Sequence, residues 1–354
     1  MNKYRNRVVM AAVAVALLTT NARAHEDAVS YPSIILIGHT ASVEAVAFSP
    51  DGKTLASSSY DETIRLRDVD TYKATKLDGH EKGTLSLAYS PTGNALASGG
   101  RDSTARIWNP KTGEAVQTYT GHQDSVISLA YSPDGKTIVS GSYDETIHLW
   151  NIETGEIVHL WSLKAKEKDE KNKRIKYIQK VAFSPDGKTI AGCIGGQVSP
   201  IYLWDVETGE MKRAFKEHRK EVNDIVFSPD GKFIASAGDD EGKILVWGVE
   251  TDQMIVLQID PSETQSIFVS DDILSLAYSS DGKTIASGGR DTFVRLWDVE
   301  TGALKAKLTG HTGDVNSLAF SPDGKTLASA GGISQNRNQP DDRTVRIWNL
   351  TKSE

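Results

Sequence analysis

Histidine and cysteine are the side chains best suited to acid–base, nucleophilic or metal chemistry near neutral pH, and this 354-residue chain has eight of the first and one of the second. Five histidines, His39, His80, His122, His218 and His311, hold one recurring place, four of them directly after a glycine. Of the other three, His148 sits in TIHLW, where parallel stretches carry Arg65, Arg106, Arg295 and Arg346, which predicts the polar face of a strand. His159 lies outside the recurring place as well. His25 would be an amino-terminal copper chelator only with partner ligands, and none lies at such a spacing; a flexible end is the simpler reading. Cys193 stands among glycines with no nearby histidine, so it reads as a small buried hydrophobe in a strand, and one cysteine allows no internal disulfide. Asp51, Asp134 and Asp186 could be metal ligands, but each lies in a Pro-Asp-Gly-Lys turn and reads as a turn former. No haem attachment motif, nucleotide loop, zinc spacing or serine elbow is present. The residues thus call for no catalytic site, no metal and no cofactor.

The elements that carry these residues repeat. Aligned on the aromatic of AFSPDGK, the chain gives seven copies at Phe48, Tyr89, Tyr131, Phe183, Phe227, Tyr278 and Phe320, spaced 41, 42, 52, 44, 51 and 42 residues apart. In the first copy, Val43 to Ser49, Thr54 to Ser59, Thr63 to Val69 and Ala74 to Leu77 read as four short strands separated by turns. Asp-Gly between two such runs is a strong hairpin signal, because glycine takes the positive-φ position at no steric cost. The first strand breaks strict alternation: apolar residues fall at Val43, Val46 and Phe48, and the same gap of three then two recurs at Val126, Leu129, Tyr131 and at Val315, Leu318, Phe320. One extra residue per strand, a β-bulge near Glu44 and its counterparts, restores the facing. A period in the low forties with Gly-His near one end and Trp-Asp near the other predicts an all-β, seven-bladed propeller of four-stranded antiparallel blades.

These motifs, with GH at 38, 79, 121 and 310, recurring SPDGK, an Asp six residues before Trp, and WD or WN at 108, 150, 204, 297 and 348, resemble the WD-repeat family over roughly Tyr31 to Lys352. The resemblance implies that complete blades are pinned by a Trp, Ser, His and Asp hydrogen-bond network. Its expected members are His39 and Asp61; His80, Asp102 and Trp108; His122, Asp144 and Trp150; His218, Asp240 and Trp247; Asp291 and Trp297; and His311, Asp342 and Trp348. Blade one has Arg67 where tryptophan belongs, blade six has no histidine, and blade four keeps only Trp204. The segment YPSIILI has no copy of its own while the seventh copy lacks a fourth strand, so residues 31 to 37 are expected to close the ring.

The resemblance also implies a partner face at the residue before each blade aspartate: Tyr60, Arg101, Tyr143, Asp239, Arg290 and Asp341. Tyrosine and arginine are enriched at interface hot spots, although the same positions serve equally as solvated turns. The residue after the first apolar position of each inner strand adds Glu44, Leu85, Ile127, Gln179, Asn223, Leu274 and Asn316, a mixture suited to a protein or peptide partner. The expected function is a non-enzymatic interaction scaffold. The alternative is a propeller enzyme or small-ligand binder at the channel mouth. Two insertions bear on specificity: Lys164 to Lys176, with seven basic and three acidic residues, and GGISQNRNQPDD, which lengthens the turn before Asp342.

Residues 1 to 24 combine Lys3, Arg5 and Arg7, an apolar run from Val8 to Leu18 and Ala-Arg-Ala, the pattern of a cleaved secretory signal. The run is too short to span a bilayer, which takes about 20 residues, so no membrane insertion is expected after cleavage. Residues 25 to 30 then form a flexible start and 31 to 354 the propeller, exported to a periplasm or the outside. Removing Lys3, Arg5, Arg7 and Arg23 moves the net charge from −7 to −11, which disfavours nucleic acid as a partner.

Overall fold

The computed structural model describes residues 31–162, 177–195, 200–239, 242–260, 270–333 and 341–351. Residues 1 to 30, where a leader and a flexible start are expected, the Lys164 to Lys176 insertion, Asp240 and most of the blade-seven insertion lie outside them. Among the described residues twenty-eight strands form seven four-stranded antiparallel sheets, each strand paired only with its sequence neighbours except at the seam. There Ser33–Leu36 pairs antiparallel with Val345–Asn349, in register from Ser33 with Trp348 to Leu36 with Val345, and becomes the outer strand of blade seven.

A lone blade exposes both of its apolar faces, and the arrangement removes both from water. Seven hydrophobic clusters are present, each joining two consecutive blades. Ile64, Leu66 and Leu77 of blade one meet Leu96 and Trp108 of blade two. At the seam, Val43, Val46 and Leu55 meet Ala328, Val345 and Ile347. Each fully buried side chain of this size contributes about 1.5–3 kcal/mol, so the ring is held by shared burial more than by any single blade. Cys193 is fully buried in the cluster between blades four and five, as a small hydrophobe should be.

The Ser-Pro-Asp-Gly-Lys turns show why their residue types recur. Ser49 donates its hydroxyl to Asp51 at 2.6 Å and accepts from the Thr54 N–H at 2.9 Å, while Asp51 accepts from the Lys53 N–H at 3.0 Å. Gly52 then takes φ 70°. The same geometry at Asp134 and Asp186 makes these carboxylates turn formers.

The inner strands are bulged in all seven blades, with register shifts between Val43 and Ala45, Thr84 and Ser86, Val126 and Ser128, Ile178 and Lys180, Val222 and Asp224, Ile273 and Ser275, and Val315 and Ser317. In blades three to seven the residue after the bulge reaches the next blade. Ser128 accepts from the Val181 N–H at 3.0 Å, Asp224 from Leu276 at 2.7 Å, Ser275 from Leu318 at 3.0 Å and Ser317 from Val46 at 3.1 Å. Lys180 holds this place in blade four and pairs with Asp224 at 3.0 Å.

Candidate functional site at the channel mouth

In blades two, three and seven the Ser, His and Asp side chains come together as a nucleophile, base and acid would, and their geometry shows a structural role instead. Ser98 is fully buried and its oxygen accepts the Trp108 indole N–H at 2.7 Å. Its one proton is then directed to His80 Nε2 at 2.6 Å, which leaves Nδ1 to donate to Asp102 at 3.0 Å. Trp150, Ser140, His122 and Asp144 repeat this chain, as do Trp348, Ser329, His311 and Asp342. Burial pushes the Asp102 carboxyl up, but the bond from His80, with those from Thr104 and the Glu81 N–H, more than offsets it and leaves the group far below the usual carboxylate range. A serine fixed between an indole and an imidazole has no path to a substrate.

The incomplete blades diverge where the sequence does. Blade one keeps His39 on Ser57 and Asp61, both at 2.9 Å, and Arg67 turns to the Ile37 carbonyl at 2.5 Å. Blade five shows His218, Ser236 and Trp247 joined at 2.7 and 2.8 Å, and its expected acid, Asp240, lies outside the described residues. Blade six retains Trp297 on Ser287 at 2.8 Å, while Asp291 pairs with Arg295 at 2.6 Å. In blade four Gly192 stands where serine belongs, and a Cβ there would lie 3.0 Å from the Trp204 ring.

His148 corrects the sequence expectation. It is 3 % exposed, not on a polar face, and its ring stacks on His122 at 3.9 Å and 8°. Burial, then the neighbouring His122, depress its pKa to about 4. The arginines it replaces behave as cations: Arg106 and Arg295 pair with Asp102 and Asp291.

The bulges collect the partner-face residues. Glu44, Leu85, Ile127, Gln179, Asn223, Leu274 and Asn316 are the extra residues of the seven inner strands, and with Tyr60 and Tyr143 they line one cavity of about 300 Å³ at the channel mouth. Tyr60 and Tyr143 are 37 % and 41 % exposed, far more than the core tyrosines. Arg101 lies over the Tyr60 ring at 5.4 Å, and both border an outer groove of about 440 Å³ with Ile333, Asp341 and Arg343. Burial raises the Glu44 carboxyl above its usual range, and Ser42 and Arg101 only partly counter it.

Three expected contact residues turn out to be braces. Asn316 donates to the Val43 carbonyl at 3.1 Å, across the seam, and Asn223 donates to the Ile273 carbonyl at 3.0 Å and to Asp239 at 2.9 Å. Arg290 is held by Asp272 at 2.5 Å. A neighbouring ring escaped the sequence reading: Ser42, Gly83, Ser125, Glu221, Asp272 and Asp314 stand just before their inner strands, and Tyr177 is the first residue of its own. Five face residues bind one of their carbonyls through the N–H, as Tyr60 does to Ser42, Tyr143 to Ser125 and Asp239 to Glu221, at 3.1, 3.1 and 3.0 Å, while in blade seven the Asp314 carbonyl is taken by the Gly332 N–H at 2.7 Å. Their place one residue ahead of the first apolar position was a usable signal. Tyr177 packs edge-on against Tyr143 at 4.7 Å and donates its hydroxyl to Glu221.

Among the described residues no group of three or more His, Cys, Asp or Glu side chains could hold a metal ion, and no helix is long and apolar enough to cross a membrane.

The family model described as WD domain, G-beta repeat matches residues 30–68, 71–109, 113–151, 209–248, 263–298 and 302–349, together more than half of the chain. The longest unmatched interval between two matches, 152–208, holds the first three strands of blade four, whose polar network is missing. Among curated proteins the chain is 28 % identical to the nuclear distribution protein PAC1 of Arthroderma otae over 50 % of this chain and 36 % of the relative. It is 31 % identical to the periodic tryptophan protein 2 homolog of Dictyostelium discoideum over 37 % of this chain and 13 % of that protein. The chain thus spans little more than a third of the length of the first of these relatives and far less of the second.

Proposed function

The chain belongs to the WD domain, G-beta repeat family, and on that premise we propose that it is a non-enzymatic scaffold that binds a protein or peptide partner at the channel mouth. The observation that carries this reading is the gathering of Tyr60, Tyr143 and Arg101 on one face, exposed beside a cavity that the bulge residues line. Large aromatic side chains with polar tips, next to arginine and a concave surface, are the composition of binding hot spots. The catalytic alternative has no comparable support, since the five histidines of the recurring slot are buried in the blades. Nucleic acid is disfavoured by the acidic chain. The family relatives carry names that refer to nuclear distribution and periodic tryptophans; neither is assigned to this chain.

We place the working protein in an exported compartment, because residues 1 to 24 have the pattern of a cleaved leader. The face is tested by affinity capture from the producing cell with wild type and with Tyr60, Arg101 and Tyr143 all changed to alanine. Partners bound by wild type should be absent from the variant while its circular dichroism melt is retained. Identical captures would exclude this face.

A further inference from the structure

The charges of the mouth are not evenly satisfied. Its cations each have a carboxylate: Lys180 has Asp224 at 3.0 Å, Arg290 has Asp272 at 2.5 Å, Arg343 has Asp341 at 3.5 Å, and Arg101 stands in the field of Glu44. Two carboxylates on the side of blades four and five differ. Glu221 is bonded by the Tyr177 hydroxyl and Asp239 by the Asn223 amide at 2.9 Å, both neutral donors. Neither forms an ion pair with a cation among the described residues. Burial raises the Glu221 pKa, the Tyr177 hydroxyl counters it, the adjacent Asp239 raises it further, and Arg290, already paired with Asp272, lowers it least of all, so two like charges share a partly buried edge with only a distant, engaged cation near them. Beside them stand two aromatic faces, Tyr143 and Tyr177, in edge-on contact, and Tyr143 also lines the cavity with Gln179 and Asn223. Aromatic faces and uncompensated carboxylates both attract cations, and a partly desolvated cation–π contact is worth about 0.5–2 kcal/mol.

We propose that the channel mouth takes an extended peptide whose lysine or arginine side chain seats between the Tyr143–Tyr177 pair and the Glu221–Asp239 pair. This deepens the scaffold reading and rests on it. A basic side chain supplies the missing countercharge, while its methylene stem covers the aromatic rings. An acidic peptide would meet Glu44, Glu221 and Asp239 and find the face's cations already engaged. The groove bordered by Tyr60, Arg101 and Ile333 lies on the same face and receives the apolar remainder of the segment.

The experiment is selection from a library of random peptides displayed by their C-terminus with acetylated N-termini, so that only side chains supply charge. Selections run in parallel on wild type, on Glu221→Gln with Asp239→Asn, and on Tyr60→Ala with Tyr143→Ala, each checked for a wild-type melt. A synthetic copy of the best peptide is then titrated, along with versions in which its basic residue is norleucine or glutamate. Lysine or arginine should dominate one position, affinity should fall about tenfold or more in the carboxamide variant and in the norleucine peptide, and binding should weaken with salt. Peptides that need Tyr60 and Tyr143 but show no basic preference, or that bind the carboxamide variant equally well, would overturn this inference and leave the scaffold reading standing. Selected peptides indifferent to all these variants would overturn both.

Discussion

At the scale of single residues, His148 turns a repeat position into a titrating one. Its pKa near 4 in the fold, against about 6.5 in an unfolded chain, means that the unfolded state binds the extra proton between those values. Stability from this group is therefore complete above about pH 6.5 and lost as the pH falls toward 4, and the cost reaches about 2 kcal/mol at pH 5. His148→Gln should show a smaller drop in Tm between pH 7 and pH 5 than wild type; an equal drop would mean that other groups govern the acid limb. This behaviour was not legible in the sequence, where TIHLW aligned with arginine-bearing strands suggested a polar face. What decides it is His122, one ring spacing away in space and twenty-six positions away in the chain. Asn223 and Asn316 line the mouth where the sequence put them, but their second role was hidden for a similar reason: the carbonyls that engage them lie 50 and 273 residues away. Local spacing says that an amide is at the mouth, not whether a neighbouring blade has already taken it.

At the scale of the strand, the sequence was a better guide, because bulges and turns are local. The gap of three then two in VEAVAF located the extra residue at Glu44, and the six other inner strands bulge at the matching place. The closure by residues 31 to 37 was legible as a count, three strands at one end and one spare at the other. Without Ser33–Leu36 the strand Val345–Asn349 would present an open edge, and Leu36 would leave the cluster it shares with Val43, Val345 and Ile347. Deleting residues 31 to 37 should lower Tm by several degrees and increase aggregation on heating; an unchanged melt would mean that the strap contributes nothing to the ring.

For the whole molecule, composition and repeat count gave the architecture, whereas the functional face was only half visible. Tyr60, Arg101 and Tyr143 could be named from their motif position, but the acidic side of the mouth appeared only when Glu221, Tyr177 and Asp239 were seen to meet. The proposed export makes a further statement about the molecule at large: mature protein recovered outside the cytoplasm should begin at His25 and carry net charge −11, four units below the full chain's −7. N-terminal sequencing reads this directly, and a mature chain still starting at Met1 would remove the leader from the account.

The contacts between inner strands run in one sense around the axis. Ser275 of blade six serves an amide of blade seven, and Ser317 of blade seven serves an amide of blade one. Four of the seven steps therefore share a direction, like people in a line with a hand on the shoulder ahead. Removing one hydroxyl strands a backbone amide not in the blade that lost it but in its successor, so the address of an injury and the address of its effect differ by one step.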